Sequence, residues 1–98
     1  MKFYQFEEIT YPGLDPHMGP EDRITNRLCD PQVVVQHYRE HLDLLVNCEK
    51  LDYDGVFLNE HHFTASNNAP DSNVLASALL ARTQKLRVGI VGNVISLR

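Results

Sequence analysis

The chain has 98 residues, 43% of them hydrophobic and 22% charged, with five glycines and five prolines. That is enough for one modest core, and it excludes a disordered chain. The formal net charge of −4, from nine Lys and Arg against thirteen Asp and Glu, leaves no basic footprint for nucleic acid or an anionic membrane.

Residues 2–7, aromatic and free of turn formers, predict a first strand. A connection over 9–29 follows, holding Pro12, Gly13, Pro16, Gly19 and Pro20. Connections of that length serve as active-site lids or are passive insertions, and Arg23 and Arg27 are the residues there that could meet an anion. Asp30-Pro31 is a helix start, with a side-chain acceptor at the N-cap and proline in the first turn. Val34, Tyr38, Leu42, Leu45 and Val46 recur at helical spacing, with Arg39, Glu40, Asp43 and Glu49 opposite, and that helix should end near Leu51. After the turn at 52–55, a second strand is expected over 55–60. A loop through Pro70 leads to Asp71 or Ser72, which caps a second helix running to about Gln84. Its expected apolar face is Val74, Ala78 and Ala81, flanked by Ala76. Leu86 to Val91 reads as a third strand entering Gly92-Asn93.

The order β-α-β-α-β with short crossovers predicts an α/β fold with a parallel sheet and right-handed connections. Two helices can cover only one face of it, leaving Phe3 or Phe6, Phe57, Gly89 and Val91 to be covered otherwise. The expected architecture is therefore the N-terminal portion of a (β/α)₈ TIM barrel, which typically needs ~250 residues. The competing expectation is a small domain that hides its open face in an oligomer. Cys29 and Cys48 have neither metal-knuckle spacing nor the number of a disulfide framework, and read as reduced thiols in a cytoplasmic protein. The amino terminus turns acidic at once and carries no signal-peptide core. The longest apolar run, 74–81, is broken by Ser77 and falls far short of the roughly 20 residues a bilayer requires.

The second strand drives straight into Asn59-Glu60-His61-His62-Phe63. Ligands of α/β proteins gather beyond the carboxyl ends of parallel strands, so titratable groups at that boundary are the candidate site. If the strand persists, Phe57, Asn59 and His61 share one face and Val56, Leu58 and Glu60 the other. His61 would then be aimed at the interior mouth as a general acid or base, imidazole titrating near ~6.5; the alternative is a strand-end histidine satisfying a loop carbonyl. Glu60, on the helix side, needs a hydrogen-bonding partner. His62 points away from His61, so the pair makes a poor joint metal site, and no metal is expected. Gly92 marks either a close approach to a ligand or a bend, and the amide of Asn93 can both donate and accept.

The stretch 54–64, with its Glu60-His61-His62, resembles the second strand of the bacterial-luciferase-like flavin monooxygenases. The stretch 78–89, from Ala78 to Gly89, is similar to their second helix and third strand, and the resemblance extends over essentially the whole chain. It implies a (β/α)₈ barrel that binds reduced FMN, supplied by a separate flavin reductase, and uses dioxygen to oxidise a small-molecule substrate, often as a homo-oligomer. It implies acid/base work for His61 and a buried hydrogen-bonding role near the flavin for Glu60. It also implies a kink after the third strand, sometimes with a non-proline cis peptide, that supports the flavin ring at Val91-Gly92-Asn93. Ser96 departs from the proline-containing version of that segment. The family's phosphate-binding loops come from later strands, so 98 residues alone are expected to be inactive. Two alternatives stay open: a deazaflavin-dependent reductase or dehydrogenase of the same barrel class, and a truncated, non-catalytic flavin-binding companion.

Overall fold

The computed structural model describes residues 1–15, 17, 19, 25–27 and 29–94. Pro16, Pro20, Arg23 and Ser96 therefore lie outside the described residues. Five elements follow in order: β1 (Tyr4–Glu7), α1 (Pro31–Lys50), β2 (Gly55–Asn59), α2 (Ser72–Leu80) and β3 (Arg87–Val91). The strands form one parallel sheet in the order β1-β2-β3, so the expected β-α-β-α-β unit is present. A complete barrel is not seen in these three strands.

Each helix starts where a side chain takes over its orphan backbone groups. Asp30 accepts from the Gln32 amide at 2.8 Å and Pro31 occupies the first turn, so α1 begins where the Asp-Pro pair predicts. It ends at Lys50, and Asp52 takes a left-handed conformation (φ 59°) that turns the chain toward β2. Asp71 caps α2 by accepting from the amides of Asn73 and Val74.

α2 stops at Leu80, short of the predicted Gln84. The Thr83 hydroxyl donates to the Leu79 carbonyl, and the Glu49 carboxylate of α1 accepts the amides of Gln84, Lys85 and Leu86. A side chain from a distant helix thus claims the donors that a longer helix would have used. The same bond from Leu86 delays β3 by one residue. β1 is shortened likewise, because the Phe3 amide donates to the Asp54 carboxylate rather than joining the ladder.

The core lies between the helices and one face of the sheet. Val56 and Leu58 are fully buried there with Ile9, Leu45, Cys48, Leu75, Ala76, Leu79 and Leu86, and Tyr38, Leu42 and Val46 pack against them. The α1 stripe is the one its spacing predicts. The α2 stripe is not: Ser72, Leu75, Ala76 and Leu79 face inward, while Val74 is 66% exposed. Nearly every position of this short helix is small or apolar, so periodicity leaves its rotation undetermined. The cap at Asp71 and the Ser72 hydroxyl, which donates to the buried Glu60 carboxylate at 3.2 Å, fix it instead.

The other sheet face is open, as the pattern requires. Phe6, Phe57 and Gly89 stand side by side across the three strands. Phe6 remains 48% exposed and Val91 52%, and the Tyr4 and Phe57 rings pack at a centroid distance of 5.1 Å.

Candidate functional site

Register builds the site. Asn59 pairs with Val91 across β2 and β3, so the 59–62 segment and the 91–93 segment, distant in sequence, emerge at one edge of the sheet. Both lie at the carboxyl ends of parallel strands, where such folds collect ligands.

Glu60 ties the two segments together. Its side chain is essentially buried and accepts from the Val94 amide at 3.3 Å and from the Ser72 hydroxyl at 3.2 Å, with His62 Nε2 at 3.0 Å. A buried carboxylate is costly without such partners, and these meet the need its position creates. Because a carboxylate only accepts, His62 donates through Nε2. That orients His62 in the way a carboxylate orients an acid/base imidazole.

His61 departs from the strand geometry expected for it. The extended backbone ends at Asn59, the His61 amide donates to the Ala69 carbonyl at 2.9 Å, and Phe63 then turns with φ 57°. Alternation no longer governs direction once the strand has ended. The exposed His61 side chain lines a cleft with Val34 and Tyr38 of α1 and with Phe63, Asn67 and Asn68. It stands at the carboxyl end of β2, but on the side of the α1 N-terminal turns and not beside Phe57 on the open face.

The loop between β2 and α2 is held by buried amides that sequence reasoning did not single out. Asn67 donates to the Asn59 side chain at 2.7 Å and accepts the Ile9 amide at 3.2 Å. The chain after β1 is joined to the same loop by Asn68 N to Ile9 O, Tyr11 N to Ala65 O and Thr10 Oγ1 to Ser66 O. The first residues of the predicted lid segment are therefore fixed to the body of the protein. At its far end Tyr11 accepts the Asp30 amide, and Arg27 is exposed. Only the even placement of Asn59 on the strand hinted at this network; its partner lies in a loop without a pattern.

After β3, Gly92 adopts φ +88°, and a Cβ placed there would meet no atom within 4 Å. The backbone at this point borders open space, which leaves room for a planar group. Asn93 is exposed and accepts from the Asn73 side chain at 3.2 Å. No cis peptide occurs among the described residues.

Burial moves one thiol and one phenol away from their ordinary values. Burial raises the Cys48 thiol above its ordinary value, with the Glu7 carboxylate adding to the effect, so the thiol stays protonated and inert. Both cysteines are free. Burial also raises Tyr38, whose hydroxyl donates to the Asn68 carbonyl. No three His, Cys, Asp or Glu side chains among the described residues gather closely enough to hold a metal ion. No helix among them is long and apolar enough to cross a membrane.

These features agree with the comparisons. The chain belongs to the luciferase-like monooxygenase family, whose model matches residues 14–98; at the family level this is an oxidoreductase. An uncharacterized protein, y4wF, of Sinorhizobium fredii (strain NBRC 101917 / NGR234) is 31% identical over 68 residues, which cover 69% of this chain and 20% of that protein. The matched part thus spans about a fifth of that relative's length. No solved structure matches the chain.

Proposed function

We propose that this protein is a flavin-dependent monooxygenase that uses reduced FMN and dioxygen to oxidise a small organic substrate. The observation that carries the reading is the register of β2 and β3, which sets Glu60-His61-His62 beside Val91-Gly92-Asn93 in a chain of the luciferase-like family. On this reading the open sheet face bearing Phe6, Phe57 and Val91 is the inward face of a (β/α)₈ barrel. A separate flavin reductase supplies the cofactor, the protein works as a homo-oligomer, and the setting is the cytoplasm.

The unfilled space at Gly92 fits the edge of a flat ring. When bound there, reduced FMN would supply the two electrons that, with dioxygen, place one oxygen atom in the substrate and the other in water. The protein's own residues do the positioning. Val91 offers apolar surface, the Asn93 amide meets a polar edge, and Glu60 holds the segment that follows through the Val94 amide. His61 moves a proton in this proposal, on the strength of the family resemblance. A second candidate rests on a specific observation: His62 is the imidazole whose tautomer a carboxylate fixes.

Binding of FMN, followed by quenching of flavin fluorescence, tests the assignment. Saturable binding that Gly92→Val weakens at least tenfold supports it, since the new side chain enters the space proposed for the ring in a backbone conformation it tolerates poorly. Binding of a deazaflavin but not of FMN would move the assignment to hydride transfer, and no binding of either would overturn it. Where turnover is measurable, His61→Ala slows oxidation while FMN binding persists; if His62→Ala has that effect and His61→Ala does not, the proton role passes to His62.

A further inference from the structure

The first turn of α2 carries a polar residue that the helix itself does not need. Ser72 is fully buried, yet it is not the cap, because Asp71 accepts the amides of Asn73 and Val74. Its companions on the inward side of the helix are Leu75, Ala76 and Leu79. A hydroxyl is costly in such surroundings without a partner, and alanine is the better helix former. The partner of Ser72 is Oε2 of Glu60, at 3.2 Å.

That bond divides the work of the carboxylate. With Oε2 engaged by Ser72, Oε1 takes both His62 Nε2 at 3.0 Å and the Val94 amide at 3.3 Å. His62 follows β2 and Val94 follows β3, so a single oxygen joins the two segments of the site. Hydrogen bonds to an ionised group are shorter and stronger than neutral ones, which makes the serine an effective anchor for the other oxygen. The same turn of α2 reaches the same segment a second time, since the Asn73 side chain donates to Asn93 Oδ1 at 3.2 Å. Two successive helix residues thus bear on the two residues after Gly92.

We propose that Ser72 is a positioning residue of this site: through Glu60 it holds the backbone at Val94 against the ring of His62. The inference rests on the reading of 91–93 as the place of the flavin edge. In Ser72→Ala the buried Oε2 loses this donor, and the carboxylate is free to turn and share its remaining donors between both oxygens. The bond that fixes Val94 then slackens.

Amide hydrogen exchange in the full chain, followed by NMR, tests this. In Ser72→Ala the Val94 amide should exchange faster by about tenfold or more, the scale of one lost hydrogen bond to a charged group. The Leu58 amide inside β2 should keep its rate, whereas a purely stabilising hydroxyl would speed that core amide. Leu58 accelerated as much as Val94, or Val94 unchanged, would overturn the proposal. Ser72→Cys, which offers only a weak donor, gives the same comparison should the alanine variant not fold. FMN binding separates the inference from the reading beneath it. Weaker binding in Ser72→Ala is expected, and equal binding despite faster exchange at Val94 would reduce Ser72 to a role in the fold. If the unaltered chain binds no FMN, the flavin reading falls, and exchange at Val94 still decides what Ser72 holds.

Discussion

Glu49 illustrates how one side chain can set two element boundaries. Its carboxylate accepts the amides of Lys85, Gln84 and Leu86, and these bonds, led by that from Lys85, hold it below the ordinary carboxylate range. The folded state therefore binds this proton less readily than the unfolded chain. The stabilisation is complete above the unfolded value of ~4.3 and is lost as pH falls through the lower folded value. Urea unfolding of Glu49→Gln should show a stability deficit at pH 7 that shrinks as the pH is lowered below about 4. A deficit independent of pH would show that the charge is not what closes the turn. Glu60 presents the opposite case. It is buried, His62, Ser72 and the Val94 amide are among its partners, and its need for partners was legible from strand parity. Their identities were not, because Ser72 and Val94 approach from other elements.

At the scale of elements, the sheet depends on close approach at Gly89. Strand interiors ordinarily gain from replacing glycine, yet a Cβ here would strike the ring of Phe57 on the neighbouring strand. The ring in turn packs on Tyr4, so the cross-strand aromatic arrangement requires glycine at this position. Gly89→Val should lower stability by about 1–3 kcal/mol, the usual cost of overpacking. Adding Phe57→Ala in the same chain should recover most of it, and urea denaturation reads both. If the loss persists in the double variant, the glycine serves the backbone rather than the ring. The helices divide differently between sequence and structure. The long α1 has a polar side that fixes its rotation, whereas nine residues of mostly small apolar side chains in α2 carry no such contrast.

For the whole molecule, the dominant feature is the face of the sheet that no helix among the described residues covers. Phe6 is about half exposed, and Tyr4, Phe57 and Val91 add to the same apolar surface. Surfaces of this kind mark sites of association, and on the proposed reading the further strands of a (β/α)₈ barrel cover it. Sedimentation velocity should find concentration-dependent association of the chain, reduced by Phe6→Glu, which places a charge in the middle of the patch. A chain that stays monomeric at every concentration would show that the uncovered face is not an association surface.

The strand and helix order, the cap at Asp30, the α1 stripe, the parallel sheet and its open face all follow from the sequence, because backbone periodicity and caps act between near neighbours. The family resemblance also lay in local runs, 54–64 and 78–89. Only the tertiary structure decided which way His61 turns, where α2 ends, which of its faces is buried, and that His62 holds Glu60. Those outcomes depend on hydrogen bonds spanning tens of residues, such as Glu49 to Leu86 and Asn67 to Ile9, and one chain's local pattern carries no record of which distant donor will arrive.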